Sequence, residues 1–142
     1  KPWLNPYSEA ARNYLLEVVK EVKNLGVDVI LLDGVQFPDL NSKIATFDGE
    51  GSVSRNAVLV NFVNSCVSAC SGTPVICAMK GEAAAGSSAI YNGSLWSANA
   101  YAFAVDLSSL KADFKRSFPA SKKVIEIKAS ASNADSTYIL TK

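Results

Sequence analysis

The chain reads as an α/β fold of parallel βα units, either half of a (β/α)8 barrel of the TIM type or a small open parallel sheet. Two observations predict it. Segments with a helical stripe of apolar residues alternate with short aliphatic runs along the chain, an order that favours right-handed crossovers within a parallel sheet. The run Val27-Asp28-Val29-Ile30-Leu31-Leu32 is almost wholly aliphatic and is bracketed by Gly26 and Pro38, the pattern of a strand buried on both faces. Four or five such strands are too few for a closed barrel, which takes about 250 residues.

The elements follow in order. Ser8 caps a helix whose stripe is Ala11, Tyr14, Leu15, Val18, Val19, Val22 and Leu25, with Gly26 as its stop. The strand 27–32 comes next and ends at Asp33. Residues 38–53 are predicted as a long polar loop, broken only by Ile44-Ala45-Thr46-Phe47. Ser54 opens a second helix with Val58, Leu59, Phe62, Val63, Cys66 and Cys70 inward, closed by Gly72. A second strand spans 74–79, a small, flexible segment 80–88, and a weak helical piece about 94–100. The third strand, 101–105, ends at Asp106. A short helix over 110–118 stops at Pro119, a fourth strand over 124–129 carries Glu126, and Tyr138-Ile139-Leu140 forms a last strand.

Composition removes several classes of function. Fourteen basic and 13 acidic residues give a net charge of +1, with no basic stripe interleaved with aromatics, so nucleic acid is not an expected partner. No apolar run approaches the ~18 residues of a membrane span. There is no histidine, which removes Ser/His and Cys/His dyads and most zinc sites. Catalysis must then run on carboxylates, Lys, Tyr or Cys. Cys66, Cys70 and Cys77 read as buried free thiols, because two cysteines four apart on a helix cannot easily reach disulfide geometry. Residues 80–88 lack the Gly-Lys-Ser/Thr ending of a phosphate loop, and Asp48-Gly49-Glu50-Gly51 reads as a solvated loop instead of a calcium site. No metal and no cofactor is expected. Lys1-Pro2-Trp3-Leu4 has neither a starting Met nor a signal-like run and reads as part of something longer, so location stays open, with the exterior or cell envelope favoured.

Trp3-Leu4-Asn5-Pro6-Tyr7-Ser8, the helix over 13–25 and the stretch from Gly26 through Asp33-Gly34-Val35-Gln36-Phe37-Pro38 together resemble a bacterial family of glycoside-hydrolase (β/α)8 barrels. In that family a Trp-Leu-Asn-Pro-Tyr run precedes a helix, and the next strand ends in Asp, two residues, then Arg-Phe-Pro. The resemblance covers residues 3–38 well. It implies a single α/β domain over 1–142, the C-terminal half of such a barrel, whose first strands lie before Lys1 or in another chain, as in a homodimer. Gly34 stands where the family has Tyr, and Gln36 where it has Arg. The following strand reads Ile76-Cys77-Ala78-Met79-Lys80-Gly81, with no acid before Glu82.

Glycoside hydrolysis generally needs two carboxyl groups across the scissile bond. The candidates at strand carboxyl ends are Asp33, Glu82 and Asp106, which parallel strands aim at one rim. Asp33, the one acid the resemblance carries over, is expected as nucleophile or charge stabiliser, although Asp-Gly is also an ordinary turn pair. Glu82 otherwise reads as a solvated charge, Asp106 as a helix cap, and Glu126 as a partner of Lys122, Lys123 or Lys128. Trp3, Tyr7 and Trp96 offer flat apolar faces for sugar rings, and Gln36 and Lys80 join Trp3 and Tyr7 in the substrate-binding set. The expected function is a carbohydrate-directed hydrolase domain, active or degenerate. The alternative is a non-catalytic α/β module of the cell surface that binds glycan or protein through the same rim.

Overall fold

The structure, a computed structural model, describes residues 3–37, 39–40, 43–44, 46–84, 93–107, 118–129 and 136–141. Helix α1 (Glu9–Asn24) starts where the sequence places it: Ser8 Oγ accepts the Ala11 N–H at 3.3 Å, and Gly26 closes the end with φ +80°. Strand β1 (Ile30–Leu32) follows. The segment predicted as loop contains a small hairpin, β2 (Asp39–Leu40) antiparallel to β3 (Lys43–Ile44). A turn then leads into α2 (Arg55–Ala69), capped by Ser54. Glu50 clamps this turn: one carboxylate oxygen accepts from Arg55 Nε and the other from the Phe47 N–H. The Arg55 guanidinium beside it holds the Glu50 carboxyl below its ordinary value, so one of the two acids of the 48–51 loop is committed to an ion pair.

Strand β4 (Val75–Lys80), the single turn α3 (Gly81–Ala84), a 3-10 turn at Gly93–Ser97, and strands β5 (Ala102–Asp106), β6 (Val124–Ala129) and β7 (Ser136–Thr141) follow among the described residues. The helix predicted over 110–118 lies outside the described residues except for Phe118, whose ring sits 5.7 Å from that of Trp96.

The main sheet has the order β1-β4-β5-β6-β7. β1, β4, β5 and β6 are parallel, which is the predicted α/β arrangement of βα units; β7 is antiparallel to β6. The six residues between β6 and β7 are too few for a parallel crossover and suit an antiparallel return. The parallel strands advance across the sheet without reversing, and α1 and α2 pack on one and the same face of it. On that face Leu32, Cys77, Phe103, Val105 and Val124 pack with Val58, Leu59, Val63 and Cys66 of α2, with Leu16, Val19 and Val22 of α1 lying against them. Leu95 and Ala84 join the same core.

The alternate residues Leu31, Ile76, Ala78, Ile125 and Ile127 form the other face, and Leu31 is 54% exposed. The expectation that residues 27–32 are buried on both faces is therefore corrected: β1 is shorter, lies at the sheet edge, and is covered by helices on one side only. The stripe of α1 is likewise half covered, with Tyr14, Val18 and Leu25 exposed.

Candidate active site at the carboxyl ends of the strands

Register decides which strand-end residues meet. Leu32 pairs with Cys77 and Cys77 with Phe103, so these three lie at one level of the sheet. Asp33 stands one residue beyond that level, while Lys80 and Asp106 stand three beyond it and are register partners of each other. Asp33, Lys80 and Asp106 share the face opposite the helices, because each has the side-chain parity of Leu31, Ala78 and Ala104. The result is a cavity of about 510 Å³ at the carboxyl edge, lined by Asp33, Gln36, Lys80, Asp106 and the apolar floor of Ala78, Ala104 and Ile127.

Two strand spacings and two residues of rise separate the α-carbons of Asp33 and Asp106 by about 12 Å. Each carboxyl carbon extends about 2.5 Å from its α-carbon, which leaves the two groups roughly 7 Å apart when they point at each other. That is nearer the ~6.5–9.5 Å of an inverting pair than the ~5–5.5 Å of a retaining one.

Asp33 is exposed, and its Oδ1 accepts the N–H of Gly34 at 2.7 Å. Gly34 adopts φ +69°, and its carbonyl accepts the Gln36 N–H at 2.8 Å, so the strand ends in a tight turn that carries Gln36 back over the rim. The turn is anchored by Phe37, fully buried against Tyr7 at 6.0 Å and Phe47 at 5.6 Å, with the Arg55 guanidinium over its ring at 4.6 Å. Asp33 is thus both a turn residue and a wall of the cavity. Its charge also reaches inward: it adds to the burial and the neighbouring Cys66 that push the Cys77 thiol up to about 12.

The other expected site residues are distributed as follows. Trp3 lines a second cavity, of about 460 Å³, together with Asp33, Gly34 and Gln36. Tyr7 borders neither cavity: its ring packs on Phe37, its hydroxyl is buried with no hydrogen-bond partner among the described residues, and it borders a smaller pocket with Asn13 and Asn61. Burial raises the Tyr7 phenol, with Glu50 adding to it and Arg55 opposing. Glu82 belongs to α3, and its side chain lies outside the described residues. Glu126 is 5% exposed and, as register partner of Val105, lies on the helix-covered face, away from the cavity. The three cysteines are free and buried, as expected. Sequence reasoning missed the second cavity; its only signal was the wide apolar stripe of α1 immediately before the Asp33 strand.

No helix among the described residues is long and apolar enough to cross a membrane. Comparison with curated proteins and with solved structures returns no match. Asp33, Gln36 and Lys80 fall inside the segment that a family match covers, and Asp106 falls beyond it. Residues 1–83 of this 142-residue chain match the family described as "putative glycosyl hydrolase domain", and the chain belongs to that family.

Proposed function

We propose that this chain hydrolyses glycosidic bonds at the carboxyl rim of its parallel sheet, with Asp33 and Asp106 as the carboxyl pair. The observation that carries the reading is their presence, with Gln36 and Lys80, around one cavity. In this reading one carboxyl protonates the leaving oxygen while the other takes a proton from a water attacking the anomeric carbon from the opposite side. The wide separation leaves room for that water, so the product inverts. Gln36 holds sugar hydroxyls through either end of its amide, and Lys80, on the strand between the two carboxyl-bearing strands, holds them as donor.

The sheet is further proposed to be half of a (β/α)8 barrel. The unreversed order of the four parallel strands and the apolar face of Leu31, Ile76, Ala78, Ile125 and Ile127, opposite α1 and α2, support this, because a barrel lumen is filled by such side chains, while the antiparallel β7 departs from it. Activity of wild type and Asp33→Asn on aryl glycosides and polysaccharides tests the proposal. Hydrolysis by wild type that Asp33→Asn loses supports it; wild type inert on the whole panel overturns it.

A second reading, a non-catalytic glycan-binding module, is favoured by the commitment of Asp33 Oδ1 to Gly34 and by Gln36 at the rim. It predicts retarded migration in polysaccharide-containing gels, sensitive to Asp106→Ala, with no hydrolysis.

A further inference from the structure

Asn5, Pro6 and Tyr7 do not line the rim cavity; they shape a different place. Asn5 Oδ1 accepts the Tyr7 N–H at 2.9 Å while Asn5 Nδ2 donates to the Asp48 carbonyl at 2.9 Å, so the segment is tied to the turn before α2. The Pro6 carbonyl accepts from Arg12 Nη1 at 2.7 Å and fixes a half-buried guanidinium in the first turns of α1. Nη1 sits on the Cδ side of the guanidinium, so this bond leaves the opposite edge, Nε–H with Nη2–H, uncommitted among the described residues. That edge is the pair of parallel donors that grips two oxygens of a carboxylate or phosphate.

Arg12 borders a cavity of about 220 Å³ between α1 and α2. Tyr7 borders it too, and the Tyr7 hydroxyl is buried with no hydrogen-bond partner among the described residues. A buried hydroxyl is costly to leave unpaired, which calls for a partner from outside the chain. Asn13 and Asn61 add amide donors at the border, whereas the Ser52 and Ser65 hydroxyls already donate to the carbonyls of Gly49 and Asn61. Among the described residues no carboxylate lines the cavity, and Glu50, in the turn against Tyr7, is ion-paired with Arg55. The lining thus offers one cation and a surplus of donors.

We infer that the cavity between α1 and α2 binds a small oxyanion, a carboxylate or phosphate group, held by the free edge of Arg12 and by the Tyr7 hydroxyl. Volume limits its size: with about 30 Å³ for each water, 220 Å³ takes such a group and a few waters, and it lies below the ~300 Å³ of pockets for larger organic ligands. A neutral sugar, or water alone, would leave the Arg12 charge without a counter-ion. The site is separate from the rim and stands whether or not the chain cleaves glycosides.

The test is a titration of the whole chain, labelled with nitrogen-15, with inorganic phosphate and with acetate, and with chloride and glucose as controls. NMR follows the backbone amides of residues 7–16 and the Arg12 Nε–H. A saturable shift is expected with at least one oxyanion, and the one that binds tighter tells a phosphoryl from a carboxylate ligand. Arg12→Gln and Tyr7→Phe should each weaken it about tenfold. Lys20→Gln, which removes a cation of the same helix that pairs with Glu17 and does not line the cavity, should leave it unchanged. Circular dichroism separates loss of the site from loss of the fold, and Tyr7→Phe, which keeps the ring, carries the test if Arg12→Gln fails to fold. No saturable shift with either oxyanion, an equal response to chloride or glucose, or binding indifferent to Arg12→Gln or to Tyr7→Phe overturns the inference and leaves a water-filled pocket.

Discussion

Lys80 and Asp106 are register partners, each the last residue of its parallel strand, and both border the cavity that Asp33 closes from the sheet edge. An ammonium and a carboxylate held side by side at a strand-end rim form a polar wall on an otherwise apolar floor of Ala78, Ala104 and Ile127. Replacing Lys80 with Met should raise KM for a glycoside about tenfold while changing kcat less, because the lost group holds substrate without taking part in proton transfer. Steady-state kinetics check this; an equal fall in kcat would place Lys80 in the chemistry itself.

The product should be inverted. Carboxyl groups roughly 7 Å apart leave space for a water between one of them and the sugar. Proton NMR of the first-formed anomer decides it, and a retained product would mean that another pair of groups does the work.

Gly34 has open space where a Cβ would go, so Gly34→Ala meets no clash, yet its φ of +69° is one that L side chains rarely adopt. The substitution should cost about 1–2 kcal/mol from backbone strain alone. It should also lower activity, since the same turn holds Asp33 and Gln36. Urea denaturation with parallel assays tests both.

Phe37 anchors that turn. Phe37→Ala removes a ring with 0% exposure that contacts Tyr7, Phe47 and Arg55, and should destabilise the chain by about 3–5 kcal/mol. A change under about 1 kcal/mol would mean the turn is held by something else.

The thiols give a pH signature. Burial, with Cys70 beside it, pushes Cys66 up to about 11, and burial, with Cys66 and Asp33, pushes Cys77 up to about 12. A folded-state value above the ordinary 9.0 means that the folded chain keeps its protons longer, so this contribution to stability is complete below about pH 9 and is lost as pH rises towards 11–12. The stability difference between wild type and Cys77→Val should therefore be constant from pH 6 to 8 and shift in favour of the variant at pH 10. Native protein should also resist thiol reagents at pH 8 and react once unfolded.

Much of this architecture is legible in the residues. The two long helices announce themselves through Ser8, Ser54 and their apolar periodicity, and the runs at 74–79 and 124–129 become the strands Val75–Lys80 and Val124–Ala129. Asp33 and Asp106 could be assigned to one rim because parallel strands point their ends the same way. Other features depend on what lies beside a segment in space. The periodicity of 27–32 cannot tell an edge strand from a central one, so Leu31 was expected inside and lies 54% exposed. Glu126 points to the helix side because of its pairing with Val105, a register no local pattern encodes. The cavity beside α1 depends on how far helix and strand stand apart, which composition does not specify.

The central claim is that Asp33 and Asp106 act on one bond. Kinetics of Asp33→Asn, Asp106→Asn and the double variant on an aryl glycoside test it most directly. Each single change should lower kcat/KM by about 10³-fold, and the double variant should be little worse than the weaker single, since removing either member of a cooperating pair already disables it. Losses that multiply, or a single variant as active as wild type, would contradict the account.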